Sequence, residues 1–277
     1  MRHRHVASWL GALFLLTGCG DGPSRDATPS ATVVVDQFTP VGVVDRQALR
    51  AKGERVATVL GCRGCHGKNL QGKKWDKVPD GSLLYASNLT LLQEYSEREL
   101  EHAIRKGVRP DGSPLWIMPS ENFIHLSAPD MSALIAYLRT VPPGGKSQPR
   151  PVIGPKTQAE IESGEIENAA QLVSRLGKTL PVDLGPRHAT ARYIASVTCA
   201  ECHGPDLKGG GGGNPDLIVA GTYSADQFTH LLRTGEPTGG RKLDLMKKVS
   251  INRFSKLTRA EVAAIYDYLT ARAELPQ

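Results

Sequence analysis

Two five-residue segments carry the side chains best suited to chemistry in this chain: CRGCH at positions 62–66 and CAECH at positions 199–203. Both have the pattern C-x-x-C-H, which is the attachment signal for c-type haem. In that signal both thiols form thioether bonds to the porphyrin, and the adjacent histidine binds the iron from one side. We therefore predict two covalently bound c-type haems. The predicted thioether residues are Cys62, Cys65, Cys199 and Cys202, and the predicted iron ligands are His66 and His203.

Other uses of these motifs fit the sequence less well. A single Cys₄ zinc site would need the two cysteine pairs much closer in sequence than they are. A thioredoxin-like redox pair would need a βαβ setting, and none is visible. The glycine run at 209–213 lacks the Lys-Ser/Thr and the preceding strand of a phosphate loop. It favours a mobile loop beside the second haem.

Length and composition agree with small domains built around a cofactor. The 277 residues suit roughly two domains, and only 5% of them are aromatic. Two such domains could bury only modest cores from their own side chains. A covalently held macrocycle would supply the missing apolar volume in each. The net charge of +6 says little, because haem propionates could cancel most of it.

The N-terminus has the features of an export signal. Residues 1–5 are basic, and the apolar stretch 6–16 is too short to span a bilayer. It ends in Leu-Thr-Gly-Cys19, which resembles a bacterial lipoprotein signal. We predict removal of residues 1–18, lipidation of Cys19 and a periplasmic protein held to a bacterial membrane by that lipid. The alternative is an ordinary signal peptide that leaves Cys19 free.

The remaining chain divides by composition. Residues 19–46 are rich in Pro, Ser, Thr and Asp and predict a disordered tether. Residues 47–142 and 187–277 predict two folded domains. Residues 143–186 predict a Pro-rich linker with a possible helix over 157–176, where Thr157 and Glu160 have capping-box spacing.

The two predicted domains repeat each other beyond the haem signals. Ser96 and Ser224 each begin a helix with Glu or Gln three residues later, and glycine ends both helices. Ser127 and Thr258 begin the final helices, whose apolar residues recur at spacings of three and four. Each final helix should therefore bury one face.

This order of helix, haem signal, loop, helix, ligand loop and helix resembles class I cytochrome c over residues 47–140 and 187–273. The resemblance implies an all-α fold with two tandem class I cytochrome c domains, each wrapped around one haem. The chain is similar to the tandem two-haem cytochromes of bacterial respiratory chains. It is also similar to the cytochrome subunits of membrane-associated alcohol and sugar-acid dehydrogenases. Those usually carry three haem signals, whereas this chain has two.

The resemblance also implies a sixth iron ligand before each final helix. Met118 followed by Pro119 matches the axial methionine pattern of the family, and Met246 lies in the equivalent loop without the proline. Either methionine could instead be a flexible thioether that fills a gap. Met131 is predicted to be core, and His125 is an alternative ligand near Met118.

A histidine and a thioether fill both axial positions of the iron and raise its reduction potential. This ligand set implies single-electron transfer between respiratory redox partners and no catalytic residues. A dehydrogenase or quinol-oxidising complex would be the donor and a terminal oxidase the acceptor. The alternatives are a permanent cytochrome subunit of a dehydrogenase, or a di-haem enzyme such as a peroxidase, which would need an open iron site.

Basic residues near both sites suggest acidic redox partners, since complementary charge raises encounter rates. The alternative is a solvated basic face, and binding to nucleic acid would be unexpected for an exported lipoprotein. We call these two groups of basic residues collars. The first collar comprises Lys68, Lys73, Lys74 and Lys77, and the second comprises Arg241, Lys242, Lys247, Lys248, Arg253 and Lys256.

Overall fold

A computed structural model describes residues 37–39, 45–75, 80–210 and 213–276. The predicted signal 1–18, Cys19, most of the tether, Lys77 and residues 211–212 of the glycine run lie outside the described residues. Across the described ranges, none of the helices has both the length and the apolar character needed to cross a membrane.

The first domain is mainly helical, as predicted, and also contains one short antiparallel ribbon. Lys74 lies opposite Tyr85 in this ribbon. The elements in chain order are α1 (Arg46–Val59), α2 (Cys62–Cys65), β1 (Lys73–Trp75), β2 (Leu84–Ala86), α3 (Glu97–Lys106), α4 (Ser120–Phe123) and α5 (Ala128–Leu138).

The second domain repeats this helical order. Short 3₁₀ segments at Pro186–His188, Leu217–Thr222 and Phe254–Lys256 connect its helices. The linker before it contributes α6 (Pro155–Glu162) and α7 (Ala169–Leu176). The domain itself comprises α8 (Ala189–Thr198), α9 (Ala200–His203), α10 (Ala225–Thr234), α11 (Asp244–Asn252) and α12 (Arg259–Ala273).

Helix α1 packs closely against α5 in the first domain. Gly53 makes this possible, because a β-carbon there would lie 1.9 Å from the carbonyl oxygen of Ala133. Val56 and Leu134 are both buried in the same core. Buried residues from both domains join one continuous apolar cluster. The two domains therefore pack as a single unit.

The predicted helix starts in the repeated helices are confirmed. Ser96 and Ser224 each accept a backbone N–H in a complete capping box. The helices that they begin end at Gly107 and Gly235, both in the left-handed region that glycine favours. Ser127 precedes α5 but makes no side-chain cap hydrogen bond.

The linker differs from the single helix predicted over 157–176. The chain folds into α6 and α7, separated by a turn at Gly164 with φ +78°. Thr157 lies inside α6 rather than capping it, and its N–H donates to Asp80 at 2.7 Å. The capping box belongs to Asn168 and Gln171 at the start of α7. The spacing at Thr157 was therefore misleading, because Pro155 begins the helix two residues earlier.

Part of the predicted tether is ordered, which corrects the prediction of disorder for residues 37–39. Phe38 is fully buried, and its N–H donates to Asp130 Oδ2 in α5 at 2.8 Å. The N–H of Thr39 donates to Glu261 Oε1 in α12 at 2.8 Å. One short segment is therefore bound by a carboxylate from each domain.

A buried polar network joins the domains beside this segment. Lys52 forms an ion pair with Asp130 at 2.8 Å, and the hydroxyl of Tyr193 in α8 donates to the same carboxylate at 2.6 Å. Arg55 pairs with Glu261 at 2.8 Å. Removing one partner of such a buried pair would leave an uncompensated charge, so the network fixes how the domains meet.

Candidate haem sites

The first haem motif begins directly after α1. Gly61 turns the chain with φ +85°, and α2 then presents Cys62 and Cys65. His66 is buried, and its Nδ1 lies 2.8 Å from the carbonyl oxygen of Ser87. A ligating histidine usually binds a backbone carbonyl through its second ring nitrogen, which fixes the tautomer. The Nε2 atom of His66 is therefore the one available to a metal.

The second motif holds its histidine in the same way. Cys199 follows α8 directly, and α9 includes Cys202 and His203. The Nδ1 atom of His203 lies 2.8 Å from the carbonyl oxygen of Pro215. Both histidines are therefore oriented by a backbone carbonyl that comes later in the chain than their motif.

The first cleft has a volume of about 400 Å³. Cys62, Cys65 and His66 line it together with Met118. Ile117, just before this methionine, has φ +64°, an unusual conformation for a β-branched residue. Apolar and aromatic residues form much of the remaining wall, including Leu60, Leu89, Leu92, Trp116, Phe123, Leu134 and Leu138.

The second cleft has a volume of about 300 Å³. Cys199, Cys202 and His203 line it together with Met246. Met246 lies in the first turn of α11, whereas the sequence predicted a loop at this position. The walls of this second cleft are largely apolar and include Leu217, Val219, Phe228, Leu232, Ile265 and Leu269.

The other candidate ligands lie elsewhere. Met131 is buried in α5, as predicted for a core residue. His125 does not line the first cleft, and its Nε2 is buried without a hydrogen-bond partner. Among the methionines that the structure describes, Met118 and Met246 are those that share a cleft with a motif histidine.

Burial shifts cysteine and histidine side chains of both clefts toward their neutral forms. Burial raises the pKa of the Cys62 thiol to about 12 and also raises the pKa of Cys199. Burial lowers the pKa of His66 and His203, against the opposing effect of their carbonyl partners. Both imidazoles are therefore neutral at neutral pH, which is the form that binds a metal. The two cysteine pairs line separate clefts. Within the described ranges, no three or more His, Cys, Asp or Glu side chains are grouped so that they could hold a metal ion, which gives no support to a shared zinc site.

Most of the predicted collar residues are exposed: Lys68, Lys73, Lys74, Arg241, Lys242, Lys247, Lys248 and Lys256. Arg253 is different, because its side chain is only 13% exposed and pairs with Glu201 at 2.7 Å. Sequence reasoning missed this pair. The sequence did carry one signal of it. At the positions of the repeat that hold Glu201 and Arg253 in the second domain, the first domain has the uncharged residues Gly64 and Asn122. The pair therefore has no counterpart at the matching positions of the first domain.

Two clefts, each with a cysteine pair, a carbonyl-oriented histidine and a methionine in a helical domain, define a two-haem electron-transfer protein. The family model for cytochrome c matches residues 50–142 and 185–272. The chain belongs to the cytochrome c family, with two tandem domains that carry two c-type haems.

Curated relatives include components of dehydrogenases. The chain is 26% identical to a nicotinate dehydrogenase subunit from Pseudomonas putida, over 97% of this chain but 25% of that protein. It is 26% identical to the cytochrome c subunit of a quinone alcohol dehydrogenase from Gluconacetobacter polyoxogenes, over 83% of this chain and 57% of that subunit. The chain thus spans only part of the length of both dehydrogenase components. It is 24% identical to a diheme cytochrome c-type protein of Cereibacter sphaeroides, over 72% of this chain and 79% of that protein.

Proposed function

We propose that this cytochrome accepts single electrons from a dehydrogenase or a quinol-oxidising complex and passes them to a respiratory acceptor, such as a terminal oxidase, outside the cytoplasmic membrane. The observation that carries this proposal is that each cleft offers one histidine and one methionine. When bound, the haems supply reversible one-electron chemistry between ferric and ferrous iron.

The chain's own residues would keep both iron sites closed. Ser87 and Pro215 orient the two histidines through their carbonyl oxygens. We propose that Met118 and Met246 would each supply the second iron ligand in their cleft. A histidine and a thioether would then leave no vacant iron position for peroxide or other substrates. This favours a carrier without catalytic residues over a di-haem peroxidase.

The exposed lysines beside the clefts suit acidic partners. Lys73 and Lys74 follow the first motif, and Lys247 and Lys248 directly follow Met246. Complementary charge would accelerate the encounter more than it would strengthen the complex. The rate of reduction by a partner should therefore fall as salt screens these charges.

We further propose that the protein is exported and held to a membrane by a lipid on Cys19. The basic, apolar and Leu-Thr-Gly-Cys segments of the N-terminus support this proposal. Cys19→Ser should release the mature haem protein from the membrane fraction. If Cys19→Ser protein still sediments with membranes after a high-salt wash, the lipid anchor on Cys19 is wrong.

A second candidate is a permanent cytochrome subunit of a membrane-associated dehydrogenase. The similarity to the cytochrome c subunit of a quinone alcohol dehydrogenase favours it. Gel filtration of mild-detergent membrane extracts separates the two roles. A carrier elutes alone, whereas a subunit co-elutes with dehydrogenase activity.

The main proposal can be tested with the purified haem-loaded protein. A redox titration followed by optical and paramagnetic-resonance spectra should show two low-spin haems. Stopped-flow mixing should show reduction by a quinone-dependent dehydrogenase and its substrate. Peroxide turnover by the purified protein, or a high-spin haem with an open site, would contradict the carrier role.

A further inference from the structure

One arginine side chain joins the second haem motif to the residues just before the first motif. Arg253 follows α11 in the second domain, yet its Nε donates to the carbonyl of Val59 in α1 of the first domain at 2.9 Å. Its Nη1 donates to Glu201 Oε2, within the second motif, at 2.7 Å. A β-carbon at Gly61 would lie 2.8 Å from Arg253 Cζ, so the guanidinium packs directly against the residue before Cys62.

The contact with Val59 is electrostatically favourable. Val59 is the last residue of α1, and the final carbonyls of a helix lack intrahelical partners. They also carry the negative end of the helix dipole, which attracts a cation. A positive guanidinium is therefore well placed at this helix end, directly before the first haem motif.

Arg253 is mostly shielded from water, whereas Glu201 is partly exposed. The two side chains are 13% and 29% exposed, and the Arg253 guanidinium lies 5.8 Å from the ring centroid of Phe254. Arg253 also lines the second cleft, and its Nη2 is buried without a hydrogen-bond partner. A buried charge is screened much less than an exposed one, so it acts more strongly on nearby redox centres.

We propose that Arg253 is the positioning residue for electron exchange between the two haems: it ties their attachment segments together, and its charge acts on both. In that exchange one iron is oxidised from ferrous to ferric while the other is reduced from ferric to ferrous. No further reactant is required. This role goes beyond the proposed exchange with partners, because it needs both haems but no partner protein.

Two substitutions that break the same ion pair separate a charge effect from a loss of structure. Arg253→Gln removes a positive charge, which should lower both reduction potentials because that charge favours the less positive ferrous state. Glu201→Gln removes the opposing negative charge and should raise both potentials. A purely structural role would move the potentials in the same direction in both variants. Optical redox titration of the purified haem-loaded protein measures both potentials.

Arg253→Lys tests the positioning role. Lysine keeps the charge, but its compact ammonium cannot reproduce the planar contacts on both sides of a guanidinium. Both potentials should therefore stay near those of the parent. The rate of exchange after rapid reduction of one haem by pulse radiolysis should fall several-fold.

The matched control is Arg187→Gln, which removes an arginine that is 75% exposed and paired with Asp267. It should change neither the two potentials nor the exchange rate. Arg253 does not act on both haems if Arg253→Gln shifts one potential alone or neither. It does not position them if Arg253→Lys leaves the exchange rate unchanged.

Discussion

The two haem clefts hold their histidines alike but present their methionines differently. In the first domain Met118 follows Ile117, which has positive φ, and precedes Pro119 at the start of α4. In the second, Met246 belongs to the first turn of α11, next to the exposed Leu245. The difference teaches that the motif and its carbonyl partner are the repeated part of the site, while the methionine can be supplied by different local structures.

The residues that form the walls of the two clefts also differ. Linker residues 147–151 line the first cleft, and Arg109 and Arg150 add charge at its wall. The wall of the second cleft is formed mainly by apolar side chains of its own domain. We therefore expect the two haems to differ in reduction potential.

The largest expected effect comes from removing the methionines one at a time. Met118→Ala and Met246→Ala should each abolish one thioether–iron charge-transfer absorption, open one haem to carbon monoxide and lower one potential. The drop should exceed the roughly 59 mV that corresponds to a tenfold change for a one-electron couple, because the axial ligand is a main determinant of potential. Optical redox titration measures both effects.

Met131→Leu is the matched control, because Met131 is a core residue that lines neither cleft. Both haem spectra should survive this change. If Met246→Ala also leaves both spectra unchanged, the helical Met246 is not a ligand and the two sites differ in more than their local structure.

The next effect tests whether the unlike domains behave as one unit. Asp130→Ala leaves Lys52 buried without a partner and removes the acceptor of Tyr193, so it should cost about 3–5 kcal/mol of unfolding free energy. Asp267→Ala, which breaks the exposed pair with Arg187, should cost no more than about 1 kcal/mol. Denaturant unfolding followed at each haem measures both. Separate transitions in the parent protein would show that the domains unfold independently.

A smaller effect should appear on acidification. Burial alone would raise the pKa of Glu261, but hydrogen bonds from Arg55, Thr258 and Thr39 hold it below its ordinary value of 4.5. The stability from this lowered pKa is present above pH 4.5 and is lost as pH falls through the folded-state pKa. Glu261→Gln should cost about 1–3 kcal/mol at neutral pH and flatten the loss of stability below pH 4.5.

Thermal unfolding between pH 3 and pH 7, a range chosen to bracket the ordinary carboxyl pKa of about 4, checks this outcome. A substitution of Asp226 is the control, because this carboxylate lies exposed in the first turn of α10. Equal acid sensitivity in Glu261→Gln and the parent would show that other carboxylates control the acid limit.

The smallest effect compares the starts of the two final helices. Thr258 forms a complete capping box with Glu261, whereas Ser127 makes no side-chain cap hydrogen bond. Thr258→Ala should therefore cost about 1 kcal/mol, and Ser127→Ala should cost little. Urea unfolding of both variants measures the difference. Equal costs would mean that the two helix starts are equivalent despite their different hydrogen bonds.

Much of this fold could be predicted from the sequence because its signals are local. The C-x-x-C-H motifs, the capping boxes at Ser96 and Ser224 and the glycines that end α3 and α10 each depend on a few neighbouring residues. The repeat strengthened these signals, since each domain offered an independent copy. The buried position of Met131 followed from its place on a helix face.

The features that sequence reasoning missed depend on contacts between distant residues. The burial of Phe38 depends on Asp130 from one domain and Tyr193 from the other, and the neighbouring residues in the sequence do not indicate either contact. Arg253 is of a residue type that usually lies on the surface, but its side chain is mostly covered and contacts the end of α1. Met246 lies in a helix although no proline or cap marks its start.

The segment around Phe38 has a practical consequence for anyone who produces this protein. Its two backbone N–H groups satisfy Asp130 and Glu261, which belong to different domains. A shortened form that starts at Asp45 would strip both carboxylates of a donor and open the Phe38 pocket to water. Recombinant versions should therefore retain the chain from at least Gln37, whose side chain also accepts a hydrogen bond from Lys52.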